Sequence, residues 1–302
     1  MATPVILGVG AIAAAIMGRS LMRRGLIGGK GAAEQWVKGG FKSKMDRKEA
    51  IAILGLNATG HCFQFCFSMS DELPSSKLGT KRHWDDVYST ELTNFEEIGD
   101  EGEIWFGEDS IEKMVDWIVE NVPSSLNPSI LEVGSGNGSL LFALQEAGYT
   151  PDRICGVDYS EDAVKLAKAV GSSKGDDSEK IQFAVCDFLT AFPAALDADR
   201  ADGEVAWDLV LDKGTFDAMA LAERDDVGKH PADAYPRRIA QVLKPGGHFL
   251  IVSCNFTQEE LRTKFANDET DLQYHSRIAF PTFSFGGSSG NVYSSVAFHK
   301  PT

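Results

Sequence analysis

The sequence predicts an α/β protein built on a doubly wound, largely parallel sheet, and three observations predict it. Short β-rich runs alternate with stretches of helical periodicity through the second half of the chain. A glycine-rich turn, Gly134-Ser-Gly-Asn-Gly138, follows the first of these runs directly. The last two extended runs are joined by a Gly/Ser-rich loop, which suits an antiparallel pair rather than another crossover. Composition agrees, since 302 residues with 43% hydrophobic and 24% charged side chains suit a large domain plus an extension. Disordered, collagen-like and disulfide-stapled chains are excluded.

The elements follow in order. Ile130–Val133 is the first strand, and a helix with apolar period near 3.6 runs on from Ser139. Arg153–Asp158 is the second strand, ending in a carboxylate twenty residues past Gly138. A helix over Ser160–Ala169 comes next, then a third strand, Ile181–Asp187, again ending in a carboxylate. Trp207–Asp212 is the fourth strand, and Lys244-Pro-Gly-Gly247 marks a turn into the fifth, Gly247–Ser253. Tyr274–Phe280 and Val292–His299 form the terminal antiparallel pair. In such a sheet, ligands bind at the carboxyl ends of the strands.

The glycine turn carries the chemistry. Glycines admit positive φ and close approach of a ligand, and the helix that follows offers free N–H groups. Dinucleotide folds require G-x-G-x-x-G, but here the glycines are Gly134, Gly136 and Gly138, and position 139 is Ser. Glu132 stands two residues before the first glycine. This E-x-G-x-G-x-G arrangement resembles motif I of the seven-strand, Rossmann-like S-adenosylmethionine (SAM) methyltransferases. The resemblance implies a SAM site formed by Glu132, Gly134, Ser135, Gly136, Asn137 and Gly138. Asp158, with Tyr159 beside it, would accept the ribose hydroxyls, and Asp187, followed by Phe188, would meet the adenine amino group. Taken singly, the glycines could make a plain tight turn, and Asp158 and Asp187 could cap the turns that follow them.

Further blocks narrow the family. They include Leu73-Pro-Ser-Ser-Lys-Leu-Gly-Thr-Lys81 with Trp84, Asp85 and Tyr88, then Asn94–Asp100 and Gly102-Glu-Ile-Trp-Phe-Gly-Glu-Asp109. Leu211-Asp-Lys-Gly-Thr-Phe-Asp-Ala218, Ser253-Cys-Asn255, Glu259-Glu-Leu261, Phe283–Gly287 and Ser289-Gly290 complete the set. Together they resemble the elongation factor 1-alpha lysine methyltransferases over residues 73–300. The loop 171–180 is diverged, and Phe256 stands where the family usually has Trp. The resemblance implies SAM-dependent methylation of a lysine on elongation factor 1-alpha, by a monomeric cytoplasmic enzyme. Asp212, Lys213 and Phe216, just past the fourth strand, are the candidate catalytic residues. Asp212 would accept from the incoming amine, and Phe216 would wall the lysine channel. Trp105 and Phe106 would fold over the cofactor as a lid. Asp212 also reads as a loop cap, and Phe216 as plain core.

The first 70 residues differ from the rest, with nine Lys and Arg against three Asp and Glu. The remaining 232 hold 20 against 41. Residues 1–18 bear no charged side chain, and as a helix they would span about 27 Å, just short of a ~30 Å hydrocarbon core. A short membrane anchor, an uncleaved targeting segment and an apolar helix packed on protein all fit. Asp46 to Gly55 reads as a short capped helix. Residues 2–56, with GGF at 39–41 and M-x-R-x-EA-x-x-ILG-L at 45–56, resemble the amino-terminal part of the J-domain subunit of the mitochondrial import motor. The His-Pro-Asp turn on which that family's co-chaperone activity depends is missing from the chain. The reading is therefore a basic extension, 1–70, ahead of a methyltransferase domain, 71–302.

Charge and cysteine usage exclude other classes. A net charge of −15 disfavours nucleic acid, itself a polyanion, and suits a basic protein partner. Without an Asn-Pro-Pro-Tyr run after the fourth strand, amino groups of adenine, cytosine or glutamine are disfavoured as acceptors. Five scattered cysteines suit a reducing compartment, and Cys62 and Cys66 lack the second ligand pair a zinc site needs. No metal is expected. Two other functions stay open: methylation of a small metabolite, and a membrane-tethered import or scaffold component at the mitochondrial inner membrane.

Overall fold

The computed structural model describes residues 73–194, 196, 207–285 and 288–302. The basic extension lies outside the described residues, with its apolar run, its short helix and its J-protein-like motifs. Among the described residues no helix is long and apolar enough to cross a membrane.

The helices are α1 (Lys81–Ile98), α2 (Glu108–Asn121), α3 (Ser139–Glu146), α4 (Glu161–Lys174), α5 (Asp176–Glu179), α6 (Thr215–Met219), α7 (Tyr235–Val242) and α8 (Gln258–Phe265). The principal sheet has seven strands: β1 (Ile130–Val133), β2 (Ile154–Asp158), β3 (Gln182–Val185), β4 (Trp207–Lys213), β5 (Leu243–Ser253), β6 (Gln273–Ser276) and β7 (Ser294–His299). Their spatial order is β3-β2-β1-β4-β5-β7-β6. The first five run parallel, and β7 inserts antiparallel between β5 and β6. Two further short strands, Thr282–Phe285 and Ser288–Asn291, lie outside this sheet.

The strand sequences explain the layering. β1 and β2 are buried at every position, as expected of parallel strands covered on both faces. Alternate side chains serve opposite faces. Ile130, Leu209, Leu211, Leu250 and Val252 pack with Met114, Ile118, Leu141 and Leu166 of α2, α3 and α4. Leu131, Val133, Val210, Phe249 and Ile251 pack with Phe216, Tyr235, Ile239 and Phe265 of α6, α7 and α8. At the amino-terminal edge of the strands, Asp208 accepts from the Ser129 N–H and hydroxyl (2.8 and 2.7 Å) and from Lys244 Nζ (2.8 Å), so β1, β4 and β5 are tied together.

Local differences from expectation have simple causes. Strand five begins at Leu243 because Trp207 pairs with Leu243 and a register shift absorbs Lys244-Pro-Gly-Gly247. Strand six stops at Ser276 rather than Phe280. Pro74-Ser-Ser76, a linker by composition, is tied down: the Ser76 N–H donates to the Leu221 carbonyl (2.9 Å), and its hydroxyl accepts from the Leu78 N–H. Thr80 then caps α1, and Trp84 Nε1 donates to the Leu78 carbonyl at 2.7 Å.

Candidate active site

The order of strands reverses between β1 and β4, and the turns leaving their carboxyl ends meet there. Val133 pairs with Asp212 in register, and the Thr215 hydroxyl donates to the Val133 carbonyl at 2.7 Å. This is the switch point at which doubly wound sheets bind ligands.

The glycine turn has the conformation its sequence demands. Gly134, Gly136 and Gly138 have φ of +70°, +54° and +80°. The Gly134 N–H donates to the Val157 carbonyl, and the Gly136 N–H donates to Asp158 Oδ2 at 3.1 Å. A Cβ on Gly134 would lie 2.0 Å from Thr215 Oγ1, so the two turns could not pass each other. Asp158 is buried, and its Oδ1 also accepts from the Ser160 N–H at 2.9 Å. The carboxylate therefore caps the next turn and braces the glycine turn at once. Burial pushes it up to about 6, against the opposing pull of these N–H donors.

Two buried polar atoms in this turn have no protein partner, Glu132 Oε2 on β1 and Ser135 Oγ. Burial pushes Glu132 up to about 8, partly offset by nearby Lys213. Such orphaned groups call for a polar ligand. A glycine cradle with orphaned acceptors beside a helix amino terminus fits the amino-acid and ribose parts of SAM. Asn137 differs in role, because its Nδ2 donates to the Glu101 carbonyl at 2.9 Å and so ties the turn to the segment between α1 and α2.

That segment, residues 99–107, touches both the glycine turn and the end of β4. Lys174 pairs with Glu101 at 3.1 Å, and Lys213 Nζ donates to the Trp105 carbonyl at 3.2 Å. Trp105 meets Trp84 edge-on, and its Nε1 is buried without a partner. Phe106 adopts φ of +69°, a conformation rare for a bulky residue. Its ring stacks on Tyr293 at 4.6 Å and lies where a Cβ on Gly214 would fall, 2.9 Å away.

The candidate catalytic residues separate. Asp212 is fully buried, its Oδ1 accepts from the Thr215 N–H (2.8 Å), and its Oδ2 accepts from the Phe216 N–H (3.0 Å) and the Tyr235 hydroxyl (2.6 Å). These partners hold the turn after β4, so the loop-cap reading describes Asp212 better than the amine-acceptor reading does. Burial still pushes Asp212 up to about 7. Phe216 turns away from the site into the core, among Tyr235, Phe256 and Phe265. Lys213 stays at the site, and burial pulls it down from the ordinary lysine range. Asp187, the candidate adenine contact, is exposed and its Oδ1 accepts from the Leu189 N–H, whereas Phe188 is buried.

Sequence reasoning assigned no site role to Tyr88, Tyr235 or Asp217. Tyr88 lies over the glycine turn, where its hydroxyl would sit 2.5 Å from a Cβ on Gly136. Asp217 accepts from the Ser253 hydroxyl (2.6 Å) and the Cys254 N–H (2.8 Å), fixing the Ser-Cys-Asn turn after β5. The family blocks at 84–88, 211–218 and 253–255 contain all these contacts except Tyr235, for which no motif pointed the way. Among the described residues no His, Cys, Asp and Glu cluster could hold a metal ion.

Comparison with known proteins agrees with this geometry. The family described as a methyltransferase domain matches residues 125–297. Protein-lysine N-methyltransferase efm4 of Schizosaccharomyces pombe is 40% identical over 75% of this chain and 95% of its own length. EEF1A lysine methyltransferase 2 of Homo sapiens is 38% identical over 76% of this chain and 89% of its own. Among solved structures, the [4+2]-cyclase SpnF aligns with a TM-score of 0.51 at 16% identity, covering 76% of this chain and 98% of SpnF. That likeness shows the fold alone, and the cyclase's different chemistry is a reminder that function resides in the site. By these matches the chain belongs to the EEF1A lysine methyltransferase family of SAM-dependent methyltransferases.

Proposed function

We propose that the chain transfers a methyl group from SAM to a lysine side chain of elongation factor 1-alpha. The observation that carries this reading is the near-full-length match to relatives named for that activity. The site geometry supports it.

When bound, SAM supplies an activated methyl group for in-line displacement. The chain's residues position, dehydrate and select. The positive-φ glycines and Asp158 shape the cofactor turn, and Glu132 and Ser135 offer it polar atoms the protein leaves unused. Asp212 and Tyr235 fix the turn where the acceptor enters. The substrate amine, with a solution pKa near ~10.4, must be neutral to attack. Lys213 reports what the site does to an amine: burial pulls it down, and the same desolvation acts on a substrate lysine placed beside it. The segment over the site excludes water, with Trp105 and Phe106 as its inner surface.

The enzyme is read as a cytoplasmic monomer whose partner is a basic protein surface rather than nucleic acid. The acidic excess beyond residue 70 supports electrostatic steering of such a partner. Labelled methyl transfer to purified elongation factor 1-alpha, resolved by peptide mass spectrometry, tests the central claim. Methyl-lysine on the factor is the expected result. Intact SAM binding with no lysine methylation overturns it, and activity confined to small amines would replace it with the metabolite reading.

A further inference from the structure

Helix α7 carries an arginine aimed at the loop after β3. Arg238 Nε donates to the Phe188 carbonyl, and its Nη2 donates to the Ala191 carbonyl. The guanidinium lies 4.1 Å from the Phe192 ring centroid and 5.5 Å from that of Phe188. One side chain thus fixes two carbonyls and two aromatic rings within five consecutive residues. A planar guanidinium does this with a rigid fork of donors and a face that stacks, whereas an ammonium offers a single compact point. Those five residues begin immediately after Asp187, whose Oδ1 is already turned back onto the Leu189 N–H at 3.0 Å.

We propose that Arg238 is a positioning residue for the base of the cofactor. By locking Phe188 to Phe192 it fixes the Asp187 carboxylate toward an exocyclic amino group, and so sets a preference for an aminopurine over an oxopurine. A carboxylate accepts from the exocyclic amino group of adenine but repels the exocyclic carbonyl oxygen that replaces it in hypoxanthine. The inference rests on Asp187 as the adenine contact. It does not involve the acceptor protein, so it can stand or fall independently of the proposed substrate.

The experiment measures calorimetric dissociation constants of the full chain for S-adenosylhomocysteine and for its deaminated analogue, S-inosylhomocysteine. Wild type, Arg238→Lys, Phe192→Leu and Asp187→Asn are compared, with melting temperature as the fold control. Arg238→Lys is expected to weaken S-adenosylhomocysteine binding by about tenfold, leave the inosyl ligand nearly unchanged, and so compress the preference. Phe192→Leu removes one stacking ring at a half-exposed site, leaves both hydrogen bonds, and should move the ratio the same way by less. Equal weakening of both ligands by Arg238→Lys means bulk structural support and overturns the proposal, as does an unchanged ratio. An unchanged ratio in Asp187→Asn removes its premise and identifies the adenine assignment as the failure.

Discussion

At Gly136 the requirement for glycine comes from outside its own turn as well as from within it. Spacing suggests that a side chain there would block the cofactor, whereas the structure puts the Tyr88 hydroxyl 2.5 Å from the missing Cβ. The residue also needs φ of +54°, which costs an L side chain about 1–2 kcal/mol. Gly136→Ala should weaken SAM binding at least tenfold, and Gly136→Arg should abolish it. Gly148→Ala makes the control: φ there is +92° with nothing within 4 Å of a Cβ, so stability should fall while calorimetric affinity stays unchanged. Asp212 shows the opposite limit of sequence reading. Its place at the end of strand four was visible, but its partner Tyr235 lies 23 residues on, and no local pattern reports that a hydroxyl will close on it. Phe216, equally well placed by sequence, faces the core because its turn delivers it to the other side of the sheet.

Strands were the most legible elements, because parallel strands buried on both faces read as continuous apolar runs. Docked segments were the least legible. Pro74-Ser-Ser76 reads as a linker by composition, and nothing local says that Gly79, just beyond it, lies against the backbone of Leu221 and Ala222. A Cβ on Gly79 would fall 2.2 Å from their main-chain atoms, which have no rotamer to yield. Gly79→Ala is therefore expected to cost up to about 3 kcal/mol, seen as a lower urea midpoint. Because α1 follows directly and places Tyr88 over the glycine turn, SAM affinity should drop in the same variant. A normal midpoint and normal affinity together would show that the segment does not dock there.

Over the whole molecule, the buried carboxyl groups near the switch point set a pH dependence. Burial raises Glu132 to about 8, Asp212 to about 7 and Asp158 to about 6, against roughly 4 in an unfolded chain. Between about pH 4 and 8 the native state thus holds more protons at these sites than the unfolded state does. Their contribution to unfolding free energy consequently falls as pH rises through that window. Lys213, lowered by burial, acts in the opposite sense on the alkaline side. The ligand-free protein should melt at a higher temperature at pH 6 than at pH 8, and Glu132→Gln should flatten that difference. A melting temperature that climbs from pH 6 to 8 in wild type would contradict the assignment. Such a network cannot be read from sequence, since it depends on which carboxylates the fold dehydrates together.

The segment over the site holds the glycine turn through Asn137 and Glu101, and the end of β4 through Lys213 and Trp105. One short stretch therefore contacts both the glycine turn and the end of β4. In kinetic terms such a bridge predicts sequential turnover, with SAM loading before the acceptor and the spent cofactor leaving last; product inhibition in which S-adenosylhomocysteine competes with the protein acceptor would contradict it. In that order S-adenosylhomocysteine is expected to compete with SAM and not with the protein acceptor, so the ratio of the two cofactor forms would govern the rate of methylation.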